Sequence, residues 1–259
     1  MISCLCVTRG DRPALLAEAV ADFAAQTFAD RELILLHDSG PVVQEKLLQM
    51  AAVHAHCAIR VHAVPAGARL GGLRNQAVAL AAGDWVCQWD DDDRYHPQRL
   101  AQQWQSAQAA GARVNYLVDQ LHCFVPQGLV FWDDWHSEPY PMNVIQGTLL
   151  ARRDVMPPYP DVARAEDTRH TENLMRHAAQ QGWPVSRLRG AGWCYVYRWH
   201  GGNVWDQGHH SAISQAKHLP PQRLLPRLAE LHQRLAEYQP ALGATHVRVG
   251  NENRPLPAD

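Results

Sequence analysis

The sequence predicts an α/β fold, with a mostly parallel, Rossmann-like central sheet flanked by helices and a smaller mixed or antiparallel sheet in its second half. Three observations carry this. Up to residue 112, short apolar runs alternate with longer segments of helical period, the pattern of βα units. From residue 113 onward, strand-like runs follow one another across a turn, so the architecture changes. Polar residues also gather directly after the strand-like runs, where open parallel sheets bind ligands between splayed loops.

ISCLCVT (2–8) reads as the first strand. In RPALLAEAVADFAAQ (12–26), Leu15, Leu16, Ala19, Val20 and Phe23 share one helical face, and Pro13 suits a first turn. ELILLHD (32–38) is the second strand, VVQEKLLQMAAVHA (42–55) a helix and AIRVHAV (58–64) the third strand. After the loop PAGARLGG, a helix spans 73–82 with Gly83 as its C-terminal cap, and DWVCQWD (84–90) is the fourth strand. A helix at 97–110 carries Leu100, Trp104 and Ala107 inward and stops at Gly111.

RVNYLVDQLHCFVP and GLVFWD read as sheet turning at Gln127-Gly128, 133–143 as a polar aromatic loop, and 144–155 as a further strand. A helix over 166–182, a strand over 192–200 and a loop through 210 follow. Leu224, Leu228, Leu231 and Leu235 form one stripe of a helix over 221–238. Residues 1–238 are expected to form one domain, with halves at 1–112 and 113–238, and the polar, Pro-rich 239–259 a flexible tail.

Net charge is −2 and the basic residues are dispersed, which argues against a nucleic-acid partner. The six cysteines have no C-x-x-C spacing and several lie in apolar runs, as expected of a reducing compartment. The N-terminus lacks a basic leader, and no apolar run approaches the ~20 residues of a membrane helix. The expectation is a cytoplasmic protein. Arg223, Arg227 and Arg234 leave peripheral contact with anionic lipid open, although a solvated helix face explains them equally well.

The chemistry-bearing feature is WVCQWDDDDRYHP, where an apolar run meets four aspartates, Asp90 to Asp93. Partial burial makes their repulsion costly unless a cation or protons relieve it. Asp90 and Asp92 form a D-x-D pair which, if strand geometry persists, points one way and shares a cation. Oxygen ligands without nearby Cys select Mg2+ or Mn2+, which commonly keep waters and a substrate phosphate. The plainer account, an N-cap and an acidic turn, uses one Asp and leaves three unexplained.

With SCLCVTRGDRPALLAEAV, ELILLHDSG and GGLRNQAVALAAGDWVCQWDDDDRYHPQRL in order, the sequence resembles the inverting glycosyltransferases of family 2, which have the nucleotide-sugar-binding GT-A fold. The resemblance is strong over residues 2–100 and weaker over 140–200. It implies that Thr8 lies near the uridine of a UDP-linked donor and that Asp38 accepts a hydrogen bond from the base. It places Arg74 and Asn75 beside the donor, makes Asp92 the direct metal ligand with Asp90 its partner, and leaves Asp91 and Asp93 in the same acidic corner. Arg9, directly after Thr8, joins the donor-side candidates.

AEDTRHTENL resembles the family's acceptor-side Glu-Asp motif, with Asp167 the implied general base and Glu166 its neighbour. His37 and Val7 depart from the family's usual residues, and the processive Q-x-x-R-W signature is absent. Among His200, His209 and His210, His200 lies nearest a strand end and is the candidate for the diphosphate or metal. Trp135 is the candidate acceptor platform among several tryptophans that suit packing.

The implied activity is metal-assisted inverting transfer from a nucleoside-diphosphate sugar to a glycan or lipid-linked acceptor, in surface glycan assembly. A sugar nucleotidyltransferase, or a silent nucleotide-sugar-binding protein of the same fold, are the alternatives. The first would want a Gly-rich basic phosphate loop after strand one, which TRGDRP resembles weakly.

Overall fold

The computed structural model describes residues 1–256. One sheet contains β1 (Ile2–Val7), β2 (Arg31–His37), β3 (Ile59–Ala63), β4 (Trp85–Gln88), β6 (Val114–Leu117), β9 (Leu150–Arg152) and β10 (Val185–Leu188). Their order is β10-β6-β9-β4-β1-β2-β3. β1 pairs in parallel with β2 and β4, and β9 is antiparallel to both of its neighbours. β1 and β2 are buried along nearly their whole length, as expected of strands in a mainly parallel sheet whose faces are covered by helices.

The second sheet contains β5 (Arg94–Tyr95), β7 (Asp119–Phe124), β8 (Leu129–Asp134), β11 (Tyr195–Trp199), β12 (His246–Val249) and β13 (Glu252–Pro255), in the order β13-β12-β8-β7-β11-β5. Its pairings are mixed: β7 is antiparallel to β8 and parallel to β11. This is the expected two-sheet architecture.

Helix α1 (Pro13–Ala24) buries Leu16, Ala19, Val20 and Phe23 of the face expected of it, while Leu15 at its edge is half-buried. Each such Leu, Val or Phe contributes about 1.5–3 kcal/mol when fully buried. Helices α2 (Pro41–Val53), α3 (Leu70–Leu80), α4 (Arg99–Ala109) and α5 (Glu166–Gln180) follow in chain order, and α6 (Gln207–Lys217), α7 (Pro221–Leu224) and α8 (Leu228–Leu235) complete the set.

Several expectations are corrected. α3 begins at Leu70, not 73, so Gly71 lies in its first turn, where a Cβ would stand 2.3 Å from the Pro160 carbonyl oxygen. Gly83 is not a left-handed cap. α3 ends at an extended Ala81, and Gly83 is needed because a Cβ there would meet the Met1 carbonyl oxygen at 2.6 Å.

The run 113–126 divides at Val118 into strands of different sheets, and only Leu150–Arg152 of 144–155 is strand. Residues 207–217, of which 207–210 were expected to end a loop, form α6, and the helix over 221–238 is interrupted at Leu225–Arg227. Pro226 accounts for that break, since it lacks the N–H a helix interior requires. Leu224 and Leu231 are buried there, with Leu228 and Leu235 packed against the same core.

The tail is the largest correction. β12 pairs with β8 and β13, and Val247, Val249 and Leu256 are buried. The alternation in HVRV overrides the polar composition around it, because two valines on one face extend an apolar sheet surface. The tail expectation for 257–259 lies outside the described residues. No helix among the described residues is long and apolar enough to cross a membrane. All six cysteines are free.

Candidate functional site

The acidic corner follows β4 and is fixed from three directions. β5 pairs with β11, and Asp93 ties them further by accepting from the Tyr195 hydroxyl at 2.5 Å and the Arg198 backbone N–H at 2.9 Å. Arg94 donates twice to Asp22 of α1, at 2.7 and 3.0 Å. α1 thereby brings Arg12, the residue before its first turn, onto the aspartates. Arg12 pairs with Asp91 at 2.8 Å and also with Asp92.

Thr8, at the end of β1, donates to Asp91 at 2.6 Å. β11 leads directly into His200, whose Nε2 lies 3.2 Å from Asp92 and 3.1 Å from Arg12. The Gly202 N–H is directed at Nδ1, which assigns the His200 proton to Nε2 and its donation to Asp92.

Burial, reinforced by the charge of Asp92, pushes the Asp91 carboxyl up to about 6 against the pull of Thr8 and Arg12. Asp92 is opposed by burial too, but the His200 hydrogen bond and the Arg12 charge hold it below the usual carboxylate range. Burial raises Asp93 well above that range. The four like charges are thus relieved by both routes expected of them, a cationic side chain and raised proton affinity. Arg12 was not singled out in the sequence, although an Arg directly before a helix that follows a strand end was the available signal.

The D-x-D geometry departs from expectation. β4 ends at Gln88 and the chain turns at 91–92, so Asp90 and Asp92 do not share one partner. Asp90 accepts from Arg74 at 3.0 Å and from Gln88 at 2.9 Å. Arg74 also pairs with Glu166 at 3.2 Å, joining the start of α5 to the acidic corner. Burial raises the Glu166 carboxyl despite that arginine.

Ala165, immediately before α5, adopts φ 57, a left-handed conformation that costs a non-glycine residue about 1 kcal/mol or more. It begins the helix with Glu166 buried against Arg74 and Asp167 half-buried on a cavity wall. Asn75 is occupied elsewhere: its side chain donates to the Tyr159 carbonyl at 2.9 Å and accepts from the Tyr159 N–H at 2.7 Å. His37 accepts from the Ser39 N–H at 3.3 Å and meets Gln44 at 2.6 Å, bracing the turn after β2.

A cavity of about 260 Å3 opens beside Asp90, and Asp167, Trp135, His209 and His210 share its lining. Two faces of one site therefore meet at Asp90. Thr8, Arg12, Asp91, Asp92 and His200 form the corner behind it, and Asp167 and Trp135 border the cavity in front. Trp205 also lines this cavity, whereas Trp132 and Trp193 are core residues. Arg9 is exposed and Asp38 half-buried; among the described residues no ion pair or side-chain hydrogen bond ties either to the corner. Arg223, Arg227 and Arg234 each have an acidic partner: Asp134, Glu230 and Glu237.

Among the described residues no group of three or more His, Cys, Asp or Glu is placed to hold a metal ion. The Asp92 carboxylate and the His200 imidazole nevertheless converge. A Mg2+ or Mn2+ that carries a diphosphate draws its remaining ligands from phosphate and water, so the Asp92 carboxylate suits such an ion. His200, with its Nε2 proton toward Asp92, orients that carboxylate rather than ligating. Arg12 occupies the carboxylate such an ion would use.

The family model described as glycosyl transferase family 2 matches residues 4–138, more than half of the chain. The amylovoran biosynthesis glycosyltransferase AmsB of Erwinia amylovora is 29% identical over 79 residues, which are 30% of this chain and 26% of that protein. The match thus spans about a quarter of that relative's length.

Among solved structures, S. aureus TarS 1–349 with UDP-GlcNAc superposes with a TM-score of 0.62 at 16% identity, covering 90% of this chain and 66% of that one. The mannosyltransferase PcManGT of Pyrobaculum calidifontis, in complex with GDP-Man and Mn2+, gives a TM-score of 0.57 at 14% identity, covering 94% and 68%. With the strand order and the acidic corner already described, these matches place the chain: it belongs to glycosyl transferase family 2 and has the GT-A fold.

Proposed function

We propose that the chain transfers a sugar from a nucleoside-diphosphate sugar, UDP-linked by the resemblance of its Thr8 and Asp38 positions, to an acceptor hydroxyl with inversion. The observation that carries this reading is that Asp167 and Asp90 line one cavity while Asp90 also borders the corner built from Thr8, Arg12, Asp91, Asp92 and His200. Donor and acceptor can then be bound on either side of a single carboxylate.

In this reading Asp167 removes the acceptor proton during in-line attack on the far face of the donor sugar. One base suffices for inversion. Arg74 holds Asp90 and Glu166 in register, so the acidic corner and the start of α5 move as one unit. Asp92, oriented by His200, would hold a divalent ion, and that ion would supply Lewis-acid stabilisation of the departing diphosphate. Arg12 can neutralise the same carboxylates when no ion is bound. A place in surface glycan assembly rests on the family resemblance, and the Erwinia relative's name as an amylovoran biosynthesis glycosyltransferase is in keeping with a biosynthetic role.

Calorimetric titration with UDP, with and without Mn2+, tests the donor side, and a nucleotide-sugar hydrolysis panel read by mass spectrometry tests turnover. The expected result is UDP binding that tightens with Mn2+ and hydrolysis of at least one donor. Binding without turnover of any donor supports a silent binder, and no nucleotide binding overturns the reading.

A further inference from the structure

The cavity beside Asp167 contains polar groups that the protein itself leaves unused. Gln120 Oε1, His122 Nε2, Trp135 Nε1 and His210 Nε2 are buried without a hydrogen-bond partner among the described residues, and all four residues line this one cavity. His122 is 1% exposed, His210 4% and Gln120 5%, so bulk water does not serve them. A buried unpaired group costs about 1–3 kcal/mol, and several of them around one space indicate a ligand that pairs with them.

His122 is the most constrained. Ser214 of α6 donates to Asp133 at 2.9 Å and lies 2.8 Å from His122 Nδ1, while Asp133 is 3.2 Å from the same nitrogen. The Ser214 proton is directed at Asp133, so its lone pair and the Asp133 carboxylate both face Nδ1, which must carry a hydrogen. In the neutral ring Nε2 is then a fixed acceptor on the cavity wall. Both Ser214 and Asp133 are fully buried, which locks this orientation.

The arrangement differs from a nucleophilic Ser-His-Asp relay, in which serine and carboxylate sit on opposite ring nitrogens. Here both hold the same nitrogen and leave the other one for a ligand.

We infer that this cavity is an acceptor subsite for one uncharged, hydroxyl-bearing sugar ring, with His122 held by Asp133 and Ser214 as its fixed hydroxyl partner. The inference rests on the transferase reading above only for the word acceptor. A hydroxyl is both donor and acceptor, so separate hydroxyls of one ring can donate to both Gln120 Oε1 and His122 Nε2 while one of them accepts from the Trp135 N–H. The volume of about 260 Å3 is below the range of drug-sized ligands and suits a single ring.

Charge selects against phosphorylated or carboxylated rings. Asp90 and Asp167 lie in the wall, and no Lys or Arg does among the described residues. Burial, with His122 and His209 nearby, lowers His210 to about 4, leaving it uncharged at neutral pH.

Saturation-transfer NMR on the full chain, with a panel of methyl hexosides and the corresponding hexose 6-phosphates, tests this directly. At least one methyl hexoside should bind at millimolar concentration, with no binding by the phosphates. Gln120→Leu should weaken that binding about tenfold, as loss of one buried hydrogen bond implies. His122→Phe should abolish it, and thermal melts of both variants report whether they fold. Gln120 Oε1 has no protein partner to lose, so the Gln120 variant decides the matter if the His122 variant unfolds.

Absence of hexoside binding, equal binding of the phosphates, or wild-type binding by Gln120→Leu overturns the inference. Hexoside binding without any donor turnover keeps the subsite and removes the transferase reading. Donor turnover with no hexoside bound does the reverse.

Discussion

The corner behind Asp90 and the cavity in front of it solve opposite problems. In the corner, four aspartates carry more charge than the site tolerates, and the chain answers with Arg12, Arg74, Thr8, Tyr195 and the Arg198 backbone. In the cavity, Gln120, His122, Trp135 and His210 keep polar atoms that no group among the described residues answers. Internally compensated charge can exchange one counterion for another, whereas unpaired neutral groups wait for a ligand of matching shape. The contrast separates a surface suited to diphosphate and cation from one suited to hydroxyls.

The largest expected effect is at the boundary between the two regions. On the proposed reading Asp167→Asn keeps shape and loses the base, so transfer should fall by about 10²–10⁴ while UDP affinity stays as in the wild type. Transfer rates and UDP titration on the same preparation check both halves of that statement. Retained transfer removes Asp167 from the base role and blurs the division between the regions.

Next is the proton affinity of the corner. Burial and Asp92 raise Asp91 from 3.8 to about 6, so the folded chain holds this proton more tightly than the unfolded chain. The stability that follows is complete below about pH 4 and is lost as pH rises through about 6. Denaturant unfolding across this window should show the wild type losing about 3 kcal/mol relative to Asp91→Asn. Parallel curves for the two proteins mean that Asp91 ionises as it would in water and that Arg12 already balances it.

Arg12→Ala tests that balance from the other side. Removal of the cation leaves Asp91 and Asp92 to repel each other within a mostly buried corner; because Arg12 itself is about one-third exposed, the cost is discounted to about 1–2 kcal/mol. Thermal melts should show the loss, and Mn2+ should restore part of it in the variant more than in the wild type. Equal shifts with Mn2+ in both proteins argue that the ion does not bind where Arg12 lies.

How much of this was legible beforehand follows from what local sequence encodes. Thr8 and Asp90 to Asp93 were legible because strand ends in a βα pattern converge whatever the details of packing. The Asp90 and Asp92 pairing was not, because the turn at 91–92 ends the alternation on which the reading relied.

His122 was hidden inside a run that looked like one long strand and is two, in different sheets. Its partner Ser214 lies on a helix whose start was read as loop and whose remainder was assigned no element, although Asp206, which accepts from the His209 N–H at 2.8 Å, is a helix-start signal in that sequence. Contacts made across two misread elements cannot be recovered from either one. The tail was misread for a related reason: two valines in HVRV outweigh a polar neighbourhood only once β8 offers them a surface.

Arg9 and Arg12 sharpen the comparison at its smallest scale. They are three residues apart, yet Arg12 is engaged by two aspartates and Arg9 is exposed. Arg9→Ala should therefore change stability by no more than about 0.5 kcal/mol, the usual range for a surface position. If Arg9 meets the donor diphosphate, as its place after Thr8 suggests, the variant should bind UDP less tightly at low ionic strength. Salt should then shrink that deficit, because an exposed charge acts through a screened field. Melting curves and UDP titrations at two salt concentrations give both readouts. A lowered melting temperature would assign Arg9 to the internally balanced set with Arg12, and unchanged UDP binding at both salts would remove it from the donor side.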